Sequence, residues 1–346
     1  MMARASAATN AGVVVRPYTE ADEAAALGVL VASLGGGPAG RRPPEFWRWK
    51  HFDNPFGRSF IIVAEVDDRI VGVRALMRWR FVSDSVEVRA VRAVDTATHP
   101  QWQGKGLFTR LTLEALDRLR GDADLVFNTP NDNSLPGYLK MGWRTIGKVP
   151  ISVRILRPVR FARRVRGLKE TVEMDGAPPP VDAPSASEVL ERLEIAPLLE
   201  ASEQPAGRLV TARDPSYLHW RYASAPLLDY RAVVEERAGA VTGMAIFRVR
   251  RRGALWEATL CELLAETEDA RTLRKLLRSI ASAAPVDHIT CHFHGGSAQL
   301  RAARRRGFVP TPGGMTFVVN PLRNELPLNP EVLESWALSL GDLEVF

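Results

Sequence analysis

Cysteine is scarce in this sequence, and long apolar runs are missing. Only Cys261 and Cys291 occur among 346 residues, which excludes a disulfide framework as the basis of the fold. No apolar stretch reaches the roughly 20 residues that cross a bilayer as a helix. The first residues, MMARASAATNAG, also lack the apolar segment of a secretory signal. We expect a cytoplasmic protein with a disordered stretch at residues 1–11 and no transmembrane segment.

The composition is that of an ordinary globular protein. Hydrophobic residues make up 46% of the chain and charged residues 25%, and the length predicts about two domains. The formal charge of +6 is mildly basic and favours phosphate groups or anionic surfaces only weakly. We expect no nucleic-acid partner and no metal site, and the oligomeric state stays open.

The most informative stretch is HPQWQGKGLFTRL, residues 99–111. It follows a run with strand character and opens a pattern typical of an amphipathic helix. The first amides of a helix lack partners within it, and the helix dipole favours negative charge at this end. Gly104 and Gly106 have no Cβ, so a ligand can approach the backbone closely. The sequence therefore predicts a phosphate site here, with Lys105 as an added cation.

A second motif begins about thirty residues later, with Asn131, Ser134, Tyr138, Gly142 and Trp143 in order. Both motifs resemble those of the GNAT acyltransferases. In that family the first is written [Q/R]-x-x-G-x-[G/A], and the second N-x-x-[A/S]-x-x-x-Y-x-x-x-G-[F/W]. Phe108 departs from the usual small residue, which looks like the enhanced-intracellular-survival type of GNAT enzyme.

The resemblance implies an acetyl-CoA-dependent N-acetyltransferase that acts on a primary amine. Tyr138 would give a proton to the departing thiolate. Pantetheine would run beside the end of the preceding strand like an added strand. The implied cofactor-binding residues are Thr96, Ala97, Thr98, Gln103, Gly104, Lys105, Gly106, Leu107, Asn131 and Ser134.

The general base and the acceptor are less well indicated. Candidate bases are Asp95, Glu65 and His99. The C-terminal carboxylate of Phe346 is a further candidate, because such a tail serves as base in the enhanced-intracellular-survival enzymes. An aromatic segment predicts the acceptor pocket, with Trp47, Lys50 and Asn54 as its members, and suits a small amine such as an amino-sugar.

The second half of the chain repeats landmarks of the first. A shift of 171 positions aligns four residues of the first half with four of the second: Pro44 with Pro215, Phe46 with Tyr217, Trp49 with Trp220 and Gly72 with Gly243. At a shift of 165, Gly142-Trp143 meets Gly307-Phe308. The glycine turn has no counterpart, and acidic residues stand at the corresponding helix start, so we expect the second lobe to have lost cofactor binding.

The predicted fold class is α/β (α+β), with two tandem GNAT-like lobes that each carry a mixed, mostly antiparallel sheet flanked by helices. The predicted domains are a catalytic lobe at 12–158, a basic helix and proline-rich linker at 159–185, a degenerate lobe at 186–325 and a tail at 326–346. Two alternatives stay open. One is a peptidyl transferase that uses aminoacyl-tRNA without coenzyme A, and the other is a non-catalytic GNAT-fold binding protein.

Overall fold

The computed structural model describes residues 12–36, 42–164, 178–202, 205–267 and 269–344. The strands are β1 Val14–Pro17, β2 Phe60–Val66, β3 Arg69–Ser83, β4 Val86–Thr98, β5 Leu125–Asn128, β6 Arg144–Val149, β7 Ser152–Ile155, β8 Leu209–Thr211, β9 Tyr230–Arg237, β10 Ala240–Arg252, β11 Leu255–Ala265, β12 His288–Cys291, β13 Val309–Pro310, β14 Met315–Pro321 and β15 Trp336–Ala337. The helices are α1 Glu23–Leu34, α2 Pro44–His51, α3 Leu107–Arg118, α4 Leu135–Lys140, α5 Pro158–Arg164, α6 Ala186–Arg192, α7 Ala196–Ala201, α8 Pro215–Leu218, α9 Ala270–Ala283, α10 Ala298–Arg305 and α11 Leu340–Leu343. In the described part of the chain, no helix is both long enough and apolar enough to cross a bilayer.

Two compact units make up the chain, and neither is continuous in sequence. The first takes the residues up to Gly147 together with Thr316–Glu331, and the second takes Lys148–Met315 and Val332–Glu344. The predicted lobes were continuous, with limits at residues 158 and 325. The difference arises because β7 pairs with β12 of the second unit, whereas β14 pairs with β5 of the first.

The first unit is a mixed sheet in the order β1-β2-β3-β4-β5-β14-β6. The pairs from β1 to β4 are antiparallel, and β5 runs parallel to β4. The apolar face of α3, including Leu107, Leu111 and Leu116, is buried in a core cluster with residues of β2, β3 and β4. The run with strand character that was predicted before the glycine turn is β4, which ends at Thr98.

The second unit is a separate mixed sheet in the order β13-β7-β12-β11-β10-β9, again with one parallel pair, β11 and β12. Helices α9 and α10 contribute to its core, which also contains the buried and free Cys291. The fold class predicted from the sequence, two mixed sheets flanked by helices, is confirmed.

The landmarks that meet at a shift of 171 have matching local structure in their own units. Pro44 begins α2 and Pro215 begins α8, and each helix carries an aromatic residue whose ring contacts a tryptophan three positions later. A Cβ added to Gly72 would lie 2.9 Å from a side-chain carbon of α3, and one added to Gly243 would lie 2.3 Å from a side-chain carbon of α9. Both glycines therefore allow the helix that follows to pack closely on the sheet.

Candidate functional site

A β-bulge interrupts β4 just before its end. Arg74 pairs with Thr96 while Ala75 pairs with Val94, so Asp95 is the extra residue, and its φ is 38°. On the other side of β4, the recorded pairing with β5 covers only residues 90–92. Within the part of the chain that the structure describes, the last residues of β4 thus have a strand partner on the β3 side alone. Such an edge can hydrogen-bond an extended ligand, as predicted for Thr96, Ala97 and Thr98.

The glycine turn between β4 and α3 presents a row of free amides. Gly104 and Gly106 are exposed, with φ values of 75° and 77°. Within the described residues, no acceptor is recorded for the amides from Gly104 to Thr109, and the amide of Arg110 is the first to bond, to the Gly106 carbonyl at 3.0 Å. Six consecutive N–H groups are therefore available at one helix start.

The chemistry of this turn fits a diphosphate. No acidic residue stands in the first turn of α3, so nothing opposes the positive end of the helix dipole. The Lys105 ammonium lies 4.3 Å from the centroid of the Trp102 ring. The Gln103 side-chain amide donates to the Thr98 carbonyl at 3.1 Å, which ties the turn to the end of β4. The predicted residues Gln103 to Leu107 thus lie together in one turn whose chemistry suits an anion, and contact with a cofactor stays a prediction.

Tyr138 lies on α4 and is 4% exposed. Its ring packs edge-on against Phe108 and Trp143, with centroids 5.5 Å and 5.1 Å away. Its hydroxyl oxygen accepts a hydrogen bond from Arg74 Nη1 at 3.0 Å. In the described residues the hydroxyl itself donates to no recorded acceptor, so its proton is available to a ligand. Phe108, the departure from the family pattern, is thus part of the packing that holds Tyr138.

Asn131 and Ser134 form the start of α4. The Asn131 side-chain oxygen accepts hydrogen bonds from the amide and the hydroxyl of Ser134, both at 3.0 Å. These local bonds from Ser134 to the Asn131 side chain stabilise the turn that leads into α4. Contact of either residue with a cofactor stays a prediction.

Asp95 is the centre of a buried charge cluster. Its carboxylate lies 2.6 Å from the Lys50 ammonium, 3.1 Å from His51 Nε2 and 3.0 Å from Arg42 Nη1. Burial raises the pKa of the Asp95 carboxyl, but Lys50 and His51 outweigh that effect and hold the pKa below its usual range. A carboxylate held in this way is a weak proton acceptor.

The other predicted acceptor and base residues have partners of their own. Trp47 donates to the Tyr18 hydroxyl at 3.3 Å, and Asn54 donates to the Arg78 carbonyl at 2.9 Å. Trp47, Lys50 and Asn54 are all at most 4% exposed, and contact of any of them with an acceptor stays a prediction. Glu65 pairs with Arg16 at 2.6 Å. His99 accepts a hydrogen bond from the Gln101 amide at 3.4 Å. Phe346 lies outside the described residues.

The second unit differs from the first at the positions that correspond to the glycine turn and to Tyr138. Asp269 caps α9 by accepting from the Thr272 amide at 2.9 Å. The amide of Phe308 bonds the Ala303 carbonyl as the amide of Trp143 bonds the Tyr138 carbonyl, so an alanine stands at the position of Tyr138. Among the residues of this unit that the structure describes, α9 has a side-chain cap and no hydroxyl stands at the position of Tyr138.

Three residues of this region, Arg74, His51 and Arg42, were not predicted from the sequence. The signal for Arg74 was an arginine inside the otherwise apolar run IVGVRALM of β3. Charged residues are rarely fully buried without a partner, so its place on the inward-facing side of the strand marks it as unusual. His51 and Arg42 gave no such signal, because each follows polar or aromatic residues in a segment without clear periodicity.

Comparison with known proteins agrees with this geometry. A family profile described as an acetyltransferase (GNAT) domain matches residues 14–146. No curated protein matches the sequence closely.

Solved structures share the fold over most of the chain. A GCN5-related N-acetyltransferase from Anabaena variabilis has a TM-score of 0.61 and 12% identity, covering 90% of this chain and 73% of its own. Eis1 from Mycobacterium abscessus has a TM-score of 0.54 and 16% identity, with the same coverage. The N-myristoyltransferase of Saccharomyces cerevisiae, solved with myristoyl-CoA, has a TM-score of 0.56 and 13% identity. The match covers 93% of this chain and 86% of that enzyme. At these identities the likeness shows the fold, and the profile match shows that the region 14–146 belongs to the GNAT acetyltransferase superfamily.

Proposed function

We propose that the first unit is an acetyl-CoA-dependent N-acetyltransferase acting on the primary amine of a small molecule, with an amino-sugar as the first candidate. One observation carries this proposal: the row of six free amides at the start of α3 lies directly after the open edge of β4. A diphosphate on those amides directs the rest of an extended nucleotide thioester along that edge.

The reaction is a direct transfer. The amine nitrogen forms a bond to the thioester carbonyl carbon, and the carbon–sulfur bond then breaks with its electron pair on sulfur. A backbone amide near Thr98 polarises the carbonyl oxygen. Tyr138 gives its proton to the sulfur. The candidates for the base that deprotonates the amine are Asp95, Glu65, His99 and Phe346. The ion pairs of Asp95 and Glu65 make these two carboxylates weaker candidates.

Titration calorimetry with acetyl-CoA, followed by thiol release with a panel of amino-sugars and simple amines, tests the proposal. We expect binding, and thiol release with at least one amine. Binding without release would instead support a binding protein, and absence of binding would favour a transferase with another donor, such as the aminoacyl-tRNA type.

Replacing Tyr138 with Phe tests its role. We expect kcat to fall by about 100-fold while the Kd for acetyl-CoA is unchanged, because the lost group acts on the leaving sulfur only during transfer. Tyr18→Phe is the matched control, since its hydroxyl contacts Trp47. Equal activity of Tyr138→Phe and wild type would contradict the assignment.

A further inference from the structure

Arg74 is a fully buried cation at the centre of the proposed site. It lies on β3 opposite the residue that follows the bulge of β4, and its exposed fraction is 0%. One nitrogen, Nη1, donates both to Thr96 Oγ1 at 2.5 Å and to Tyr138 Oη at 3.0 Å. The same guanidinium therefore joins the open strand edge to the hydroxyl proposed as the proton donor.

The remaining donors of Arg74 are unused. Nε and Nη2 are buried and have no hydrogen-bond partner, and no carboxylate of the described residues lies within ion-pair distance of the group. Its other contacts are the rings of Phe108 and Tyr138, with centroids 5.9 Å and 5.5 Å away. An arginine stays charged in proteins, and a buried charge without a counter-ion is costly. Such a group is favourable only where a negative charge appears beside it.

We propose that Arg74 is a positioning residue that acts through Tyr138. This inference rests on the proposed function of the same site. Because Arg74 donates to the hydroxyl oxygen, the hydroxyl proton points away from the guanidinium and is free to form a bond to the leaving sulfur. When that O–H bond breaks, the electron pair stays on the phenol oxygen. The phenolate is then stabilised by the positive charge 3.0 Å away, until a proton from solvent restores the hydroxyl.

The key variant is Arg74→Met, which removes the charge and the donor but keeps a long apolar stem. Arg92→Met is the matched control. Arg92 is also 0% exposed, lies on the neighbouring strand β4, and donates to Thr129 rather than to Tyr138. Arg74→Lys keeps the charge and is the conservative variant for rescue. Circular dichroism and thermal unfolding of each variant establish that it folds.

We expect Arg74→Met to lower kcat by about 100-fold with an unchanged Kd for acetyl-CoA. Arg74→Lys should recover part of that loss, and Arg92→Met should stay within a few-fold of wild type. The melting temperature of Arg74→Met should be equal to or higher than that of wild type, because replacing a buried unpaired charge by an apolar side chain removes a desolvation cost. A merely structural arginine would show the opposite, a lower melting temperature with little change in kcat.

The double variant Arg74→Met with Tyr138→Phe decides whether Arg74 acts through Tyr138. If it does, the double variant is no slower than Tyr138→Phe alone, since the two losses are non-additive. Losses that multiply would overturn the inference, as would an active Arg74→Met beside an impaired Tyr138→Phe. A wild-type protein without transfer would overturn the proposed function and this inference together. Active wild type with losses that multiply would overturn this inference alone, so the two failures are distinguishable.

Discussion

Two helix starts in this chain occupy the same place in their own sheets but have opposite chemistry. α3 begins after Gly106, which lies in the left-handed region and offers no side-chain cap. α9 begins after Asp269, whose carboxylate accepts from both the amide and the hydroxyl of Thr272. The first helix leaves its amides free for an external anion, and the second satisfies them internally. The α3 start thus keeps its amides accessible, whereas the carboxylate of Asp269 occupies the equivalent place at α9.

The largest expected effect comes from giving α3 the acidic start of α9. We expect Gly104→Asp with Gly106→Asp to weaken acetyl-CoA binding by about 100-fold or more, because juxtaposed like charges cost several kcal/mol. Titration calorimetry measures the loss. Gly121→Asp is the matched control: its φ is 84° and a Cβ there meets nothing within 4 Å, so it carries the same backbone strain beyond the other end of α3. Unchanged affinity in the double variant would contradict both the difference between the two helix starts and the proposed function.

A smaller effect is expected from removing the cap of α9. Asp269→Ala should lower the free energy of unfolding by about 1 kcal/mol, the usual contribution of an N-cap, and leave the Kd for acetyl-CoA unchanged. Urea unfolding together with calorimetry checks both. An effect on acetyl-CoA affinity would show that α9 also contributes to binding.

The same cap predicts a pH dependence. Hydrogen bonds from Thr272 lower the pKa of the Asp269 carboxyl, so its stabilisation is present above the unfolded value of about 3.9 and is lost as the pH falls through the folded value. The difference in unfolding free energy between wild type and Asp269→Ala should therefore shrink below about pH 4. A constant difference down to pH 2 would contradict this reading of the cap.

The smallest expected effect concerns Lys105. Lys105→Ala should weaken acetyl-CoA binding by about 2- to 5-fold at low salt, since an exposed charge pair contributes about 0.2–1 kcal/mol. The effect should diminish as salt screens the charge. Lys140→Ala, an exposed lysine at the end of α4, is the control. If both variants bind equally well, the backbone amides alone hold the diphosphate.

Local signals in the sequence predicted the parts of the site that depend on neighbouring residues. The strand before the glycine turn and the helix start with free amides after it agree with the structure. Each is set by periodicity or by glycine within a few positions. The acidic start of α9 was also visible, and the structure adds that Asp269 is its cap.

Contacts between distant residues were not predictable in this way. Arg248 on β10, for example, is 8% exposed and pairs with Glu344, 96 positions later, at 3.0 Å. The exchange that puts β14 in the sheet of the first unit and β7 in that of the second also left no local signal. A strand's pattern states which residues share a face, but it does not name the neighbouring strand.

The sequence by itself indicated the GNAT-like domain within residues 14–146 and the turn whose chemistry suits a diphosphate, because both depend on short, ordered motifs. Only the tertiary structure decided that Arg74 meets Tyr138, 64 positions away, and that Asp95 is enclosed by Lys50 and His51. The physical reason is that burial and pairing of charge depend on which strands and helices meet. Which strands and helices come into contact depends on the packing of the whole unit rather than on any one segment.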